Sequence, residues 1–160
     1  MNCEQFIALV STEQESLRRF LLALCVGHRD DADDIAQEAL IKAYLARDKI
    51  RNDEKLGAWL YRIAYNTFLD HQRSLRSRSH ASIEEADTLV SETATDAGFE
   101  YQELYSALRT LPPKERTAIL LFYLKGYTVR EIAEIVHGTE AAVRQQLSRG
   151  REQLKSKMKL

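Results

Sequence analysis

Apolar residues recur at three- and four-residue intervals through most of the chain, a period that predicts helices rather than strands. Between Glu4 and Val26 the stripe is Phe6, Ile7, Val10, Leu17, Leu21, Leu24 and Cys25. Residues 27–31 interrupt it. Asp30 or Asp31 is placed to cap a second helix, and Asp33 and Asp34 suit the positive end of its dipole. Its expected buried face is Ile35, Ala36, Ala39, Leu40, Ala43 and Tyr44. Polar residues 47–53 read as a loop. A third helix then sets Leu56, Trp59, Leu60, Ile63, Ala64, Thr67 and Phe68 on one side and runs into 70–78, where the charge turns positive.

From 79 to 96 the pattern lapses into Ser, Thr, Ala and acids, the composition of a flexible or partly helical linker. It resumes with Phe99, Tyr101, Leu104, Tyr105 and Leu108. Leu111-Pro112-Pro113 ends that helix, with Pro113 at or near the first turn of the next. Residues 117–124 are strongly apolar, and Gly126 stops the run. Residues 128–136, a His137-Gly138 turn and residues 139–149 then have the pattern of a helix-turn-helix. Ala133 is small where the two helices would cross, and Ile132, Val136, Val143 and Leu147 would fix their angle. No strand and no internal repeat is evident. The expected fold is all-α: a three-helix domain over 1–78, a flexible acidic linker over 79–97, and a four-helix domain over 98–160.

Composition adds less than its distribution does. The 160 residues are 44% hydrophobic and 29% charged, enough for two small cores. No apolar run approaches the roughly 20 residues of a membrane span, and the first residues lack the basic stretch of a secretory signal. A cytoplasmic chain with no membrane insertion is expected. Cys3 and Cys25 are far apart with no paired-cysteine motif, so free thiols are expected rather than a disulfide or metal site. The formal net charge of −1 argues against a nucleic-acid partner until it is split by segment. From Arg109 onward there are eleven Lys/Arg against five Asp/Glu, whereas 81–108 holds seven acids and no Lys or Arg. An acidic strip offsets a basic module on paper only.

That module carries the sharpest chemistry. The outer face of the second helix of the motif holds Arg144, Gln145, Ser148, Arg149 and Arg151, and its first helix carries Arg130. Arginine suits guanine or phosphate and glutamine suits adenine or backbone. A plain helical hairpin would share the apolar periodicity but has no need of this face. Arg151, Lys155, Lys157 and Lys159 continue as phosphate clamps or as cations at the negative pole of a solvated helix end. A second constellation, residues 58–66 leading into Asp70, Arg73 and Arg76, interleaves aromatic and basic groups in the manner of single-strand binders. Trp59 and Phe68 match the core stripe better than a stacking role. Asn66, Asp70 and Arg73 share a polar face, on which Asp70 either meets DNA or holds Arg73 or Arg62 in place. The third, residues 30–44, has acids too closely set for a calcium loop and lacks its glycine and closing Glu. Capping plus a protein-binding face made of Asp34, Gln37, Glu38 and Lys42 explains it better. No nucleophile, paired acid, glycine-rich phosphate loop or second His-Asp set accompanies the four His residues, so neither catalysis nor a cofactor or metal is expected.

Three blocks in this order resemble a bacterial sigma factor of the extracytoplasmic function (ECF) group, in the sigma-70 family: residues 31–44, residues 56–66 running to Asp70-His-Gln-Arg73, and Leu111-Pro-Pro-Lys-Glu-Arg116 through Arg151. The resemblance covers nearly the whole chain. It implies that Asp34, Gln37, Glu38 and Lys42 belong to the surface that docks on core RNA polymerase. It further implies that the loop around Asn52 captures a flipped base of the minus-ten element, with Asn66, Asp70, Arg73 and Arg76 along the strand. Arg130, Arg144, Gln145, Ser148, Arg149 and Arg151 would read the minus-thirty-five element. Promoter DNA, core polymerase and an anti-sigma factor are the implied partners, and the acidic linker would thread a cationic channel of the polymerase. The chain departs from the family where His137-Gly138 forms the turn, where Ala141-Ala142 replaces a common Gly-Thr, and where Gln145-Gln146 replaces Ser-Arg. Those changes bear on which minus-thirty-five sequence is read. The rival readings are a helix-turn-helix regulator with a sensing or dimerising N-terminal domain, and a protein-binding helical adaptor.

Overall fold

A computed structural model describes residues 1–50, 55–78 and 99–158. Among these are seven α-helices and no strand. They are α1 (Cys3–Leu24), α2 (Arg29–Leu45), α3 (Leu56–Arg78), α4 (Phe99–Arg109), α5 (Pro113–Tyr123), α6 (Val129–Val136) and α7 (Glu140–Met158), with one 3-10 turn over Arg47–Lys49. The fold is all-α, in two small helical domains of three and four helices, as the periodicity predicts. Asn52 and the linker 79–97 lie outside the described residues.

Local chemistry sets the helix ends. Asn2 and Gln5 form a reciprocal capping box at the start of α1. Val26 (φ 49°) and Gly27 (φ 92°) turn left-handed after it, and the Gly27 N–H donates to the Leu22 carbonyl at 2.9 Å. A Cβ on Gly27 would lie 3.1 Å from the Tyr105 ring. Glycine is needed there for both its φ and its lack of bulk. Contrary to the expected aspartate cap, α2 begins at Arg29 with His28 at its cap position and no side-chain cap. Asp31 is drawn away from the backbone because its carboxylate accepts from His28 Nδ1 (3.5 Å) and His71 Nε2 (3.3 Å), tying α2 to α3. Pro113 occupies the first turn of α5, where its missing N–H costs nothing.

In the first domain, Phe6, Leu17, Phe20, Leu21 and Leu24 of α1 pack on Ile35, Ala39 and Ala43 of α2 and on Leu60, Ala64 and Phe68 of α3. The expected stripes need four corrections. Ile7 and Leu56 are exposed because they fall at the edge of their arcs. Tyr44 is 38% exposed and lies over the domain rim, edge-on to Phe6 and 3.4 Å from Cys3 Sγ. Tyr101, counted on the apolar face of α4, is also exposed. In the second domain, α5, α6 and α7 bury Thr117, Ile119, Leu121, Ile132, Ile135, Val143 and Leu147. Gly150 of α7 is pressed against α5 so closely that a Cβ would lie 2.7 Å from Ile119 Cγ1.

The two domains also pack on each other, α3 against α6 and α1 against α4 and α5. Arg116 sits at that seam with only 8% of its surface exposed. Its guanidinium donates to the carbonyls of Leu108 (3.0 Å), Leu111 (3.0 Å) and, across the seam, Leu24 (2.8 Å). Three carbonyls at helix ends thus replace the counter-ion a buried cation would otherwise need. Lys125 adds Glu13 (3.1 Å) and Ser16 (2.7 Å) from α1.

Candidate polymerase and nucleic-acid interfaces

The helix-turn-helix is built as the sequence predicts. Thr128 caps α6 and forms a capping box with Glu131, whose carboxylate is held below its ordinary range first by the Thr128 N–H and then by Lys55. His137, not Gly138, takes the left-handed turn position (φ 55°). Thr139 Oγ1 then accepts from the Ala142 N–H at 3.1 Å and starts α7. With Val143, Leu147 and Gly150 buried, α7 turns Arg144, Gln145, Ser148, Arg149 and Arg151 outward, all exposed. Arg144 is paired with Glu140 (3.5 Å) and Arg130 with Glu134 (3.9 Å), both loosely and on the surface. Arg151 is less free. Its Nε donates to Tyr123 Oη at 2.7 Å, and its guanidinium lies 5.8 Å from the centres of the Phe122 and Tyr123 rings. The spacing of one helix does not foretell that aromatic seat, which ties Arg151 to the end of α5.

The second candidate surface is on α2 and α3. Asp34, Gln37 and Glu38 are exposed on one side of α2, with Lys42 half-buried at its end. Asn66, Asp70, Arg73 and Arg76 are exposed along the outer side of α3. The aromatic half of the single-strand pattern belongs to the core instead: Trp59, Tyr61, Tyr65 and Phe68 are all 4% exposed or less. Tyr61 donates to Ser16 Oγ at 3.1 Å, and burial pushes its hydroxyl well above the ordinary phenol range. Phe68 and Trp59 follow the core stripe, as their spacing predicts. Tyr61 and Tyr65 fall beside it, and it is α1 and the second domain that cover Tyr61, edge-on to Phe20 and Tyr127.

Between the domains an open cleft of about 840 Å³ is lined by Lys55, Trp59 and Arg62 of the α3 side and by Arg130, Glu131 and Glu134 of α6. It carries both signs of charge, and Lys55 is already bonded to Glu131 at 3.0 Å. The described residues hold no cluster of His, Cys, Asp or Glu that would bind a metal, and no described helix is long and apolar enough to cross a membrane. Cys25 is buried with its thiol pushed up to about 12, chiefly by desolvation, so it is a packing residue and no nucleophile.

A capped helix-turn-helix with a basic outer face, packed against a second helical domain that carries its own acidic and basic strips, defines a two-domain DNA-binding transcription protein. Residues 9–78 match the Sigma-70 region 2 family and residues 101–154 match Sigma-70, region 4. The chain is 32% identical over 140 residues to the ECF RNA polymerase sigma factor EcfG of Rhodopseudomonas palustris, covering 87% of this chain and 77% of that protein. It is 31% identical over 147 residues to SigW of Bacillus subtilis, covering 84% and 79%. Among solved structures, the sigma factor RpoE in complex with the anti-sigma factor NepR from Bartonella quintana shares the fold with a TM-score of 0.82 at 23% identity, covering 98% of each chain. The chain belongs to the ECF sigma factors of the sigma-70 family, which direct RNA polymerase to promoters and are not a family of catalytic enzymes.

Proposed function

We propose that each domain of this sigma factor meets its partners through the surfaces just described. Residues 1–78 act as the polymerase-docking and minus-ten unit, and 98–160 as the minus-thirty-five unit, with 79–97 as their tether. Asp34, Gln37 and Glu38 form the acidic docking strip for core RNA polymerase. Asn66, Arg73 and Arg76, with Asn52 in the preceding loop, contact the minus-ten strand. Arg144, Gln145 and Ser148 meet base edges of the minus-thirty-five element, while Arg130, Arg149 and Arg151 hold phosphates. Lys42 and Asp70 meet between these two surfaces at 3.5 Å. The observation that carries this reading is the contiguous exposed row Arg144, Gln145, Ser148 on a helix whose opposite side is locked by Val143, Leu147 and Gly150. A reader fixed in that way loses little freedom on entering a major groove. The protein works in the cytoplasm without catalysis, cofactor or metal. An anti-sigma protein restrains it, in keeping with relatives solved with NepR and with the cytosolic domain of CnrY.

The test is transcription in vitro on a promoter library, with purified core polymerase and with this protein added or omitted. Start sites are expected only with the protein, and Asn66→Ala with Arg73→Ala removes them. Arg144→Ala costs about 1–3 kcal/mol at one position of the upstream element and leaves the others intact. No new starts, with tight binding of the protein alone to some duplex, would overturn the assignment in favour of a stand-alone regulator.

A further inference from the structure

Four residues from the two surfaces of the first domain form one chain of charges between α2 and α3. Glu38 Oε1 lies 3.4 Å from Lys42 Nζ, and the same Nζ lies 3.5 Å from Asp70 Oδ2. The other oxygen of Asp70 lies 3.6 Å from Arg73 Nη1. Lys42 therefore stands between two carboxylates, and Asp70 between two cations. The four side chains are 40–76% exposed, so none of these pairs is strong and each re-forms easily. The helices themselves are held elsewhere. Asp31 of α2 is bonded to His71 of α3 beside Asp70, and Ile35, Ala39, Ala64 and Phe68 are buried in their common core. The charges can rearrange without the helices moving.

A partner that recognises Asp34, Gln37 and Glu38 must present basic groups. A cation arriving at Glu38 competes with Lys42, which then leans wholly on Asp70. Asp70 has a single charge to share, so its hold on Arg73 slackens. While Lys42 remains divided, Asp70 keeps Arg73 engaged and sets a negative charge beside any approaching phosphate. We propose that Lys42 and Asp70 touch neither polymerase nor DNA, and that they are positioning residues which release Arg73 to the strand once Glu38 is occupied. The inference rests on the docking and strand-binding roles assigned above.

The experiment is fluorescence anisotropy of a labelled single strand, taken from a start site mapped by the transcription assay, with the full chain alone and bound to core polymerase. Core capture is measured alongside. Asp70→Asn is expected to tighten strand binding by the chain alone about three-fold, with little change for the polymerase-bound chain, so the gap between the two states narrows. Lys42→Met is expected to weaken strand binding by the polymerase-bound chain about three-fold, more than it changes core capture, and Asp70→Asn suppresses that defect. Equal weakening by Asp70→Asn in both states would make Asp70 a direct strand contact and overturn the relay. Loss of core capture by Lys42→Met in step with Glu38→Gln would make Lys42 a direct polymerase contact and overturn it equally. Arg73→Ala without effect in either state would remove the strand-binding assignment itself, a failure distinct from that of the relay.

Discussion

At the scale of single residues, Arg116 and Asp31 each join parts of the chain that are remote in sequence. Arg116 is buried, and desolvation pulls its pKa below the ordinary arginine value, yet a guanidinium stays charged in proteins. Its worth lies in the fork that reaches three carbonyls at once. Arg116→Ala takes a donor from all three, of which Leu108 keeps the Leu111 N–H at 3.0 Å, and is expected to cost about 3 kcal/mol in urea unfolding. Arg116→Lys keeps the charge, loses the fork and should recover only part of that. Similar losses for both would mean that the retained charge recovers nothing, and full recovery by Lys would mean that charge, not geometry, matters. Asp31 makes a pH prediction. The hydrogen bond from His28, and after it that from His71, holds its carboxyl below the ordinary 3.8. A depressed carboxylate contributes stability that is fully present above 3.8 and is lost as pH falls through its folded-state value. Asp31→Asn should therefore flatten the fall in stability below about pH 4, and unchanged curvature would show that the His28–Asp31–His71 contact carries no net stabilisation.

At the scale of elements, the most informative contact is α5 on α7. Gly150 allows an approach that leaves no room for a methyl group beside Ile119. Gly150→Ala gains about 1 kcal/mol of helix propensity but overpacks a locked contact at about 1–3 kcal/mol. A net loss near 1 kcal/mol is expected in thermal or urea unfolding, and a gain would mean that α7 slides on α5 at little cost. The sequence shows why such helices exist but not how close they come. Stripes at helical period foretell the buried sides of α1, α2, α3 and the helix-turn-helix, because burial of one side is a property of a single element. The failures lie where a second element intervenes. Asp31 reads as a cap until His71 is placed beside it, and Tyr61 and Tyr65 read as stacking groups until neighbouring helices cover them. The outward row Arg144, Gln145, Ser148 was legible because it needs only the period of one helix. The link from Lys42 to Asp70 was not, because it spans 28 residues and a helix crossing.

At the scale of the molecule, the seam between the domains decides how readily the two can move apart. Besides Arg116, it is closed by Lys125, whose side chain is 15% exposed and whose ammonium bonds Glu13 and Ser16 and lies 4.9 Å from the centre of the Tyr61 ring. Lys55 and Glu131 close the far side at 3.0 Å. Lys125 and Glu13 are shielded, so salt screens their attraction less than it would an exposed pair. The contact is nevertheless polar and can be replaced by water when a larger interface competes for either domain. Lys125→Met removes the charged bonds while preserving most of the apolar stem, and it leaves Glu13 beside Tyr61 and Tyr127 without its cation. We expect this to weaken the closed arrangement by about 2 kcal/mol. Small-angle scattering should then report a larger radius of gyration than the roughly 15 Å of a compact 160-residue chain, with far-UV dichroism unchanged because each domain keeps its own helices. Glu13→Gln should move the radius in the same direction by less, since the amide still accepts from Lys125. An unchanged radius with a lowered unfolding midpoint would place the role of Lys125 within the folded core of one domain and leave the closed state to apolar contact alone.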